Sequence, residues 1–141
     1  MKNEIILSKL DYSKLNSMIL NLLDSKDSNL LELNRLNIEI KQAKLVEPNK
    51  INPEYVTMNS VIEVVFAQSG TSKMLRLAYP DEANLNDGRI SVLSPLGRAL
   101  LGCRKGETVS FKVPDGIKTV TIRNVIYQPE ANGVDLQEMS I

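Results

Sequence analysis

The chain has 141 residues, 43% of them hydrophobic, with 17 Lys and Arg balanced by 17 Asp and Glu. Such a length and core fraction suit one ordinary domain, or a small domain with an appendage, and zero net charge argues against bulk attraction to nucleic acid. There is no histidine and only one cysteine, so an internal disulfide, Ser–His–Asp or Cys–His nucleophiles and zinc-hydrolase sites are excluded.

The start, MKNEIILSKL, has too short an apolar patch for a secretory signal, and no run approaches the ~20 apolar residues of a membrane helix. A cytoplasmic protein without membrane contact is expected. Residues 10–45 are helical in pattern. Leu15, Met18, Ile19, Leu22 and Leu23 recur at i, i+3, i+4, i+7 and i+8, which is one face of an amphipathic helix. Asp11 is a short acceptor suited to cap its start. The turn formers DSKDS, residues 24–28, split the segment. Leu33, Leu36, Ile40 and Ala43 then alternate spacings of three and four, a coiled-coil seam, until Glu47-Pro48 ends the helix. Two helices so closely joined form an antiparallel hairpin. Leu31, Ile38 and Leu45 recur every seven residues on the opposite face. The segment Ile5-Ile6-Leu7 or the C-terminal half is expected to cover them; the alternative is an exposed stripe awaiting a partner.

Beyond Asn52 the period changes to two. VIEVVFA (61–67) and KMLRLAY (73–79) read as strands separated by the glycine-bearing turn QSGTS, and RISVL (89–93) as a third. Thr108–Val113 alternates with Val109, Phe111 and Val113 inward, and Lys118–Tyr127 with Val120 and Ile122 inward. PDG, residues 114–116, is the turn between them. Between the third and fourth strands Ser94 is suited to cap a short helix, with Pro95 at its first position and Gly102 as its left-handed stop. The expected fold class is α+β, with a helical hairpin over residues 1–47 and a small, mostly antiparallel sheet with one short helix over 48–141.

ISVLSPLGRALLGCRKGETVSFKVP, residues 90–114, resembles the signature of the C-terminal domain of the Gre transcript-cleavage factors. The blocks VTMNS (56–60, read from Val56) and YQPE (127–130) bring the chain closer still to the Rnk-like subfamily, named for regulation of nucleoside diphosphate kinase. The resemblance covers about residues 50–130 and implies an FKBP-like domain. It also implies a bacterial protein that binds RNA polymerase at the rim of the secondary channel. In that family a long coiled coil enters the channel, and acidic residues at its tip help to hold a catalytic magnesium ion. The Rnk-like proteins carry a shortened arm.

Each helix here is only 14–18 residues long by pattern, about 20–27 Å, so its tip stops short of such a site. Asp24 and Asp27 sit at that tip, yet Lys26 lies between them and both are ordinary turn residues. The expectation is a monomeric, non-catalytic regulator needing no cofactor or metal and reading no nucleic-acid sequence. It docks through Leu93, Ser94, Pro95 and Leu96, with Arg98 and Arg104 steering, and competes with Gre-type factors. Regulation of the kinase through another partner, or a generic protein-binding module, are the alternatives. Prolyl isomerisation is disfavoured because Phe66 and Phe111 fall on strands, as core. Arg89, Arg98, Arg104 and Lys105 form a stretch without acids that reads either as a solvated face or as a positive patch. Cys103, beside Arg104 and Lys105, reads as inert packing ahead of a reactive thiol.

Overall fold

The computed structural model describes residues 4–24 and 30–132. Strand β1 (Ile6–Ser8) leads into helices α1 (Lys9–Leu23) and α2 (Leu30–Lys41), then β2 (Lys44–Val46). The sheet strands are β3 (Val61–Phe66), β4 (Ser72–Ala78) and β5 (Arg89–Ser91). Helix α3 (Pro95–Leu100) precedes β6 (Thr108–Val113) and β7 (Gly116–Tyr127), and 3-10 turns lie at Pro48–Lys50, Pro80–Glu82, Leu85–Asp87 and Glu130–Asn132.

Leu15 and Ile19 of α1 meet Leu33, Leu36 and Ile40 of α2 in the core, as the apolar spacing requires. Lys41 Nζ donates to Tyr12 Oη at 2.9 Å and Asn16 Oδ1 at 3.0 Å, so the end of α2 lies beside the start of α1 and the pair is antiparallel. Two details differ from the sequence pattern. The N-cap of α1 is Ser8, whose Oγ accepts from the Asp11 N–H at 3.0 Å; Asp11 is already inside the first turn. Helix α2 also ends before Ala43 and Leu45. Lys44–Val46 instead pairs in parallel with Ile6–Ser8, because the chain leaving the helix meets the extended Ile5-Ile6-Leu7 segment and satisfies its backbone groups there.

The main sheet has the order β5-β4-β3-β7-β6. It is mixed: β4 and β5 pair in parallel, the other neighbours antiparallel. The two 3-10 turns after β4 reverse the chain once more than a hairpin would, and side-chain alternation alone cannot signal that. Helices and sheet share one hydrophobic cluster, running from Leu15 and Leu36 through Val56 and Leu100 to Val120 and Ile122. The stripe expected to be covered is not: Leu31, Ile38 and Leu45 are 57%, 59% and 38% exposed. Ile5 and Leu7 bury themselves elsewhere, against the end of α3, where the Ile6 N–H donates to Gly102 O at 3.1 Å.

Candidate functional site

Helix α3 is built as its residues dictate. Ser94 Oγ accepts from the Gly97 N–H at 3.1 Å, Pro95 occupies the first turn, and Gly102 takes φ 75°. Gly97 carries a demand that composition does not show. A Cβ there would lie 1.9 Å from Ser91 O, so α3 presses directly on the end of β5. This contact holds the Leu93–Leu96 turn at the surface, with Pro95 exposed and Leu93, Ser94 and Leu96 half-buried.

The two arginines assigned to steering have different places. Arg98 is only 8% exposed. Its Nη2 lies 2.5 Å from Glu32 Oε2 on α2, and its Nε donates to Leu93 O at 3.4 Å. It ties the hairpin to α3 and is not a surface cation. Arg104 is exposed and gives two hydrogen bonds to Glu54 Oε1, at 3.0 and 2.7 Å, which hold the Glu54 carboxyl below its usual range. Arg89 meets Asp87 at 3.2 Å. Three of the four cations in the acid-free stretch therefore face carboxylates from elsewhere, and the positive-patch reading is corrected to a set of internal pairs. Cys103 is buried, with Sγ donating to Ala99 O at 3.2 Å, which is packing.

The blocks VTMNS and YQPE meet each other. Thr57 Oγ1 donates to Glu130 Oε1 at 2.8 Å, and Gln128 Nε2 donates to the carbonyls of Asn52 and Tyr55 at 2.9 and 2.8 Å. Asp11, 5% exposed, reaches the same place from α1, where its Oδ2 accepts from the Met58 N–H at 3.1 Å. Burial, and then the charge of Glu130, push the Asp11 carboxyl up from 3.8 to about 7. Burial also raises Glu130 and the Tyr79 phenol nearby. Sequence patterning missed this junction, because its groups come together only in the fold.

Asp24 is the C-cap of α1, exposed, its backbone N–H on Leu22 O. Asp27 lies outside the described residues. Among the described residues no group of three or more metal-ligating side chains assembles. No described helix is long and apolar enough to cross a membrane. Beside α3 lies an open groove of ≈ 460 Å³ between α2, α3 and β6.

Residues 50–127 match the family model for the C-terminal part of transcription elongation factors GreA/GreB. The chain is 33% identical over 99 residues to the regulator of nucleoside diphosphate kinase of Escherichia coli strain K12, covering 70% of this chain and 73% of that protein. It is 34% identical over 82 residues to transcription elongation factor GreA of Thermodesulfovibrio yellowstonii, spanning 52% of that protein. The solved prokaryotic transcription elongation factor GreA/GreB from Nitrosomonas europaea superposes with a TM-score of 0.72 at 31% identity, over 88% of this chain and all of that one.

Proposed function

Because the chain belongs to the GreA/GreB transcription elongation factor family, we propose that it regulates transcription by binding RNA polymerase and catalyses no reaction itself. Residues 48–141 form the FKBP-like docking domain and residues 1–47 a short coiled-coil arm. The observation that carries this reading is where the family match lies. It covers 50–127, the part bearing the exposed Pro95 flanked by Leu93 and Leu96, and leaves the arm outside. Apolar side chains held at a surface by a rigid backbone contact suit a protein interface.

The arm's length supports occupancy without catalysis. Helix α1 has 15 residues and α2 has 12, about 22 and 18 Å at 1.5 Å per residue. Asp11–Met58 holds the base of the arm against the domain, and Glu32–Arg98 ties down the other end, since Glu32 lies in the first turn of α2 beside the tip. The monomer sits at the secondary-channel rim and excludes longer Gre-type factors from one shared surface. The name of the Escherichia coli relative supports a second reading, control of nucleoside diphosphate kinase.

Purified chain titrated against RNA polymerase core enzyme and, separately, against the kinase tests both. Polymerase binding that an added Gre factor displaces is the expected result. Binding to the kinase alone overturns the polymerase reading.

A further inference from the structure

The groove beside α3 is lined by five consecutive residues of β6, Thr108 to Lys112, with Ile117 at the hairpin end of β7, facing Pro95, Arg98 and Ala99 of α3 and Arg35 and Glu39 of α2. Neighbouring strand residues point to opposite faces. A groove touching all five must therefore run along the edge of the strand, where the backbone is. Strand β6 is an end strand whose partner is β7.

The ladder fixes which backbone groups are free. The Gly106 N–H donates to Ile122 O at 2.7 Å, and the Ile122 N–H to Glu107 O at 2.9 Å. Two residues on, the register pairs Val109 with Val120 and Phe111 with Lys118. These residues carry the bonds to β7, because hydrogen-bonded pairs alternate in an antiparallel ladder. The N–H and C=O groups of Thr108, Ser110 and Lys112 then point away from β7 into the groove. They have no backbone partner among the described residues. The opposite edge is treated differently: β5 is three residues long and is bridged by Asn84, whose N–H donates to Arg89 O at 2.9 Å.

We propose that this groove takes an extended peptide segment of a partner protein, which adds to the sheet as a further strand beside β6. The unpaired backbone groups supply affinity, and alternate side chains of the guest enter the space between strand and helices. The lining there is apolar at Val109, Phe111, Ala99 and Pro95. Its charged rim is Arg35 and Lys112 against Glu39, Arg98 being buried against Glu32. Two rim cations to one carboxylate favour a guest that carries carboxylates at its ends. The proposal shares Pro95 with the polymerase-docking surface but does not rest on that reading.

The test uses the full chain, isotope-labelled, with the peptide Ac-EVTVTVD-NH2 as probe and no polymerase present. At saturation, amide exchange at Thr108, Ser110 and Lys112 slows about tenfold or more, while Val109 and Phe111, already in the ladder, are unchanged. Ser110→Pro is compatible with the fold because that N–H lies outside the β7 ladder. It weakens binding about tenfold, the loss of one backbone hydrogen bond and its geometry. The same peptide N-methylated at alternate residues tests the point without altering the protein, and loses binding likewise. No alternating protection at about 1 mM probe overturns the proposal. So does undiminished binding of the methylated peptide. Protection of the same three amides that rises with protein concentration alone also overturns it, since a second copy then fills the groove.

Discussion

Glu32 on α2 and Arg98 on α3 form a largely buried ion pair, 2.5 Å between Oε2 and Nη2, that joins the helical hairpin to the motif-bearing helix. Removing either partner leaves a charge in a poorly solvated site, which typically costs about 3–5 kcal/mol. Arg35, 3.8 Å from Glu32 on its other oxygen, softens the loss of Arg98.

Arg98→Met is therefore expected to destabilise the chain by about 2–4 kcal/mol. The double change Arg98→Met with Glu32→Leu recovers most of that, because no buried charge is left alone. Urea denaturation of the four proteins of the cycle measures it. Equal loss in the single and double variants would show that packing, and not charge, holds the helices together.

Asp11 sets a pH dependence whose sign follows from its raised carboxyl, 3.8 moving to about 7. The folded state holds a proton that the unfolded chain releases, so the stability this site adds is complete below pH 3.8 and is lost as pH rises to about 7. Asp11→Asn keeps an acceptor for the Met58 N–H and removes the charge. It is expected to raise the thermal midpoint at pH 8 and to give little or no gain at pH 4. A gain that is the same at both values would falsify the burial argument.

Gly97→Ala should be among the most damaging single-methyl changes in the chain. The added carbon meets backbone at 1.9 Å, and no side chain can rotate away to relieve it. The expected loss is about 3 kcal/mol, with Ala99→Gly on the same helix as a propensity control costing about 1 kcal/mol. Near-identical unfolding midpoints for the two would mean that α3 lifts off β5 cheaply.

Leu93→Ser and Leu96→Ser test the docking surface. Both side chains are half-buried, so folding is checked first by circular dichroism. Polymerase affinity is expected to fall about tenfold in each, mainly through faster dissociation. Arg104→Gln loses an exposed pair with Glu54 and the charge over the Tyr55 ring, and should change the unfolding midpoint little. Unaltered affinity in both leucine variants would move the interface away from α3.

Asp24→Asn together with Asp27→Asn should leave competition with a Gre factor intact, because an exposed turn carboxylate such as that of Asp24 contributes little to an interface. A backtracked transcription complex with magnesium is the assay. Wild-type stimulation of RNA cleavage, lost in the double variant, would show a catalytic tip instead of a blocking arm.

Local chemistry was enough to read the two helices, the six-residue strand Thr108–Val113 and the cap, proline and glycine of α3. Each depends on neighbours within a few residues: apolar spacing, a short acceptor, a φ that only some residues adopt. Long-range pairing was not readable, because nothing local states which distant backbone or charge a group will meet. Lys44–Val46 continued a helical pattern and became a strand once Ile6–Ser8 lay beside it. Arg98 and Arg104 looked like surface cations until the fold brought Glu32 and Glu54 to them. Leu31 and Ile38 kept a core-like spacing yet stayed in solvent, since the sheet packed on the other face of the hairpin. Asp11 passed for a helix cap; only burial beside Thr57, Met58 and Glu130 gave it a proton to hold near neutral pH.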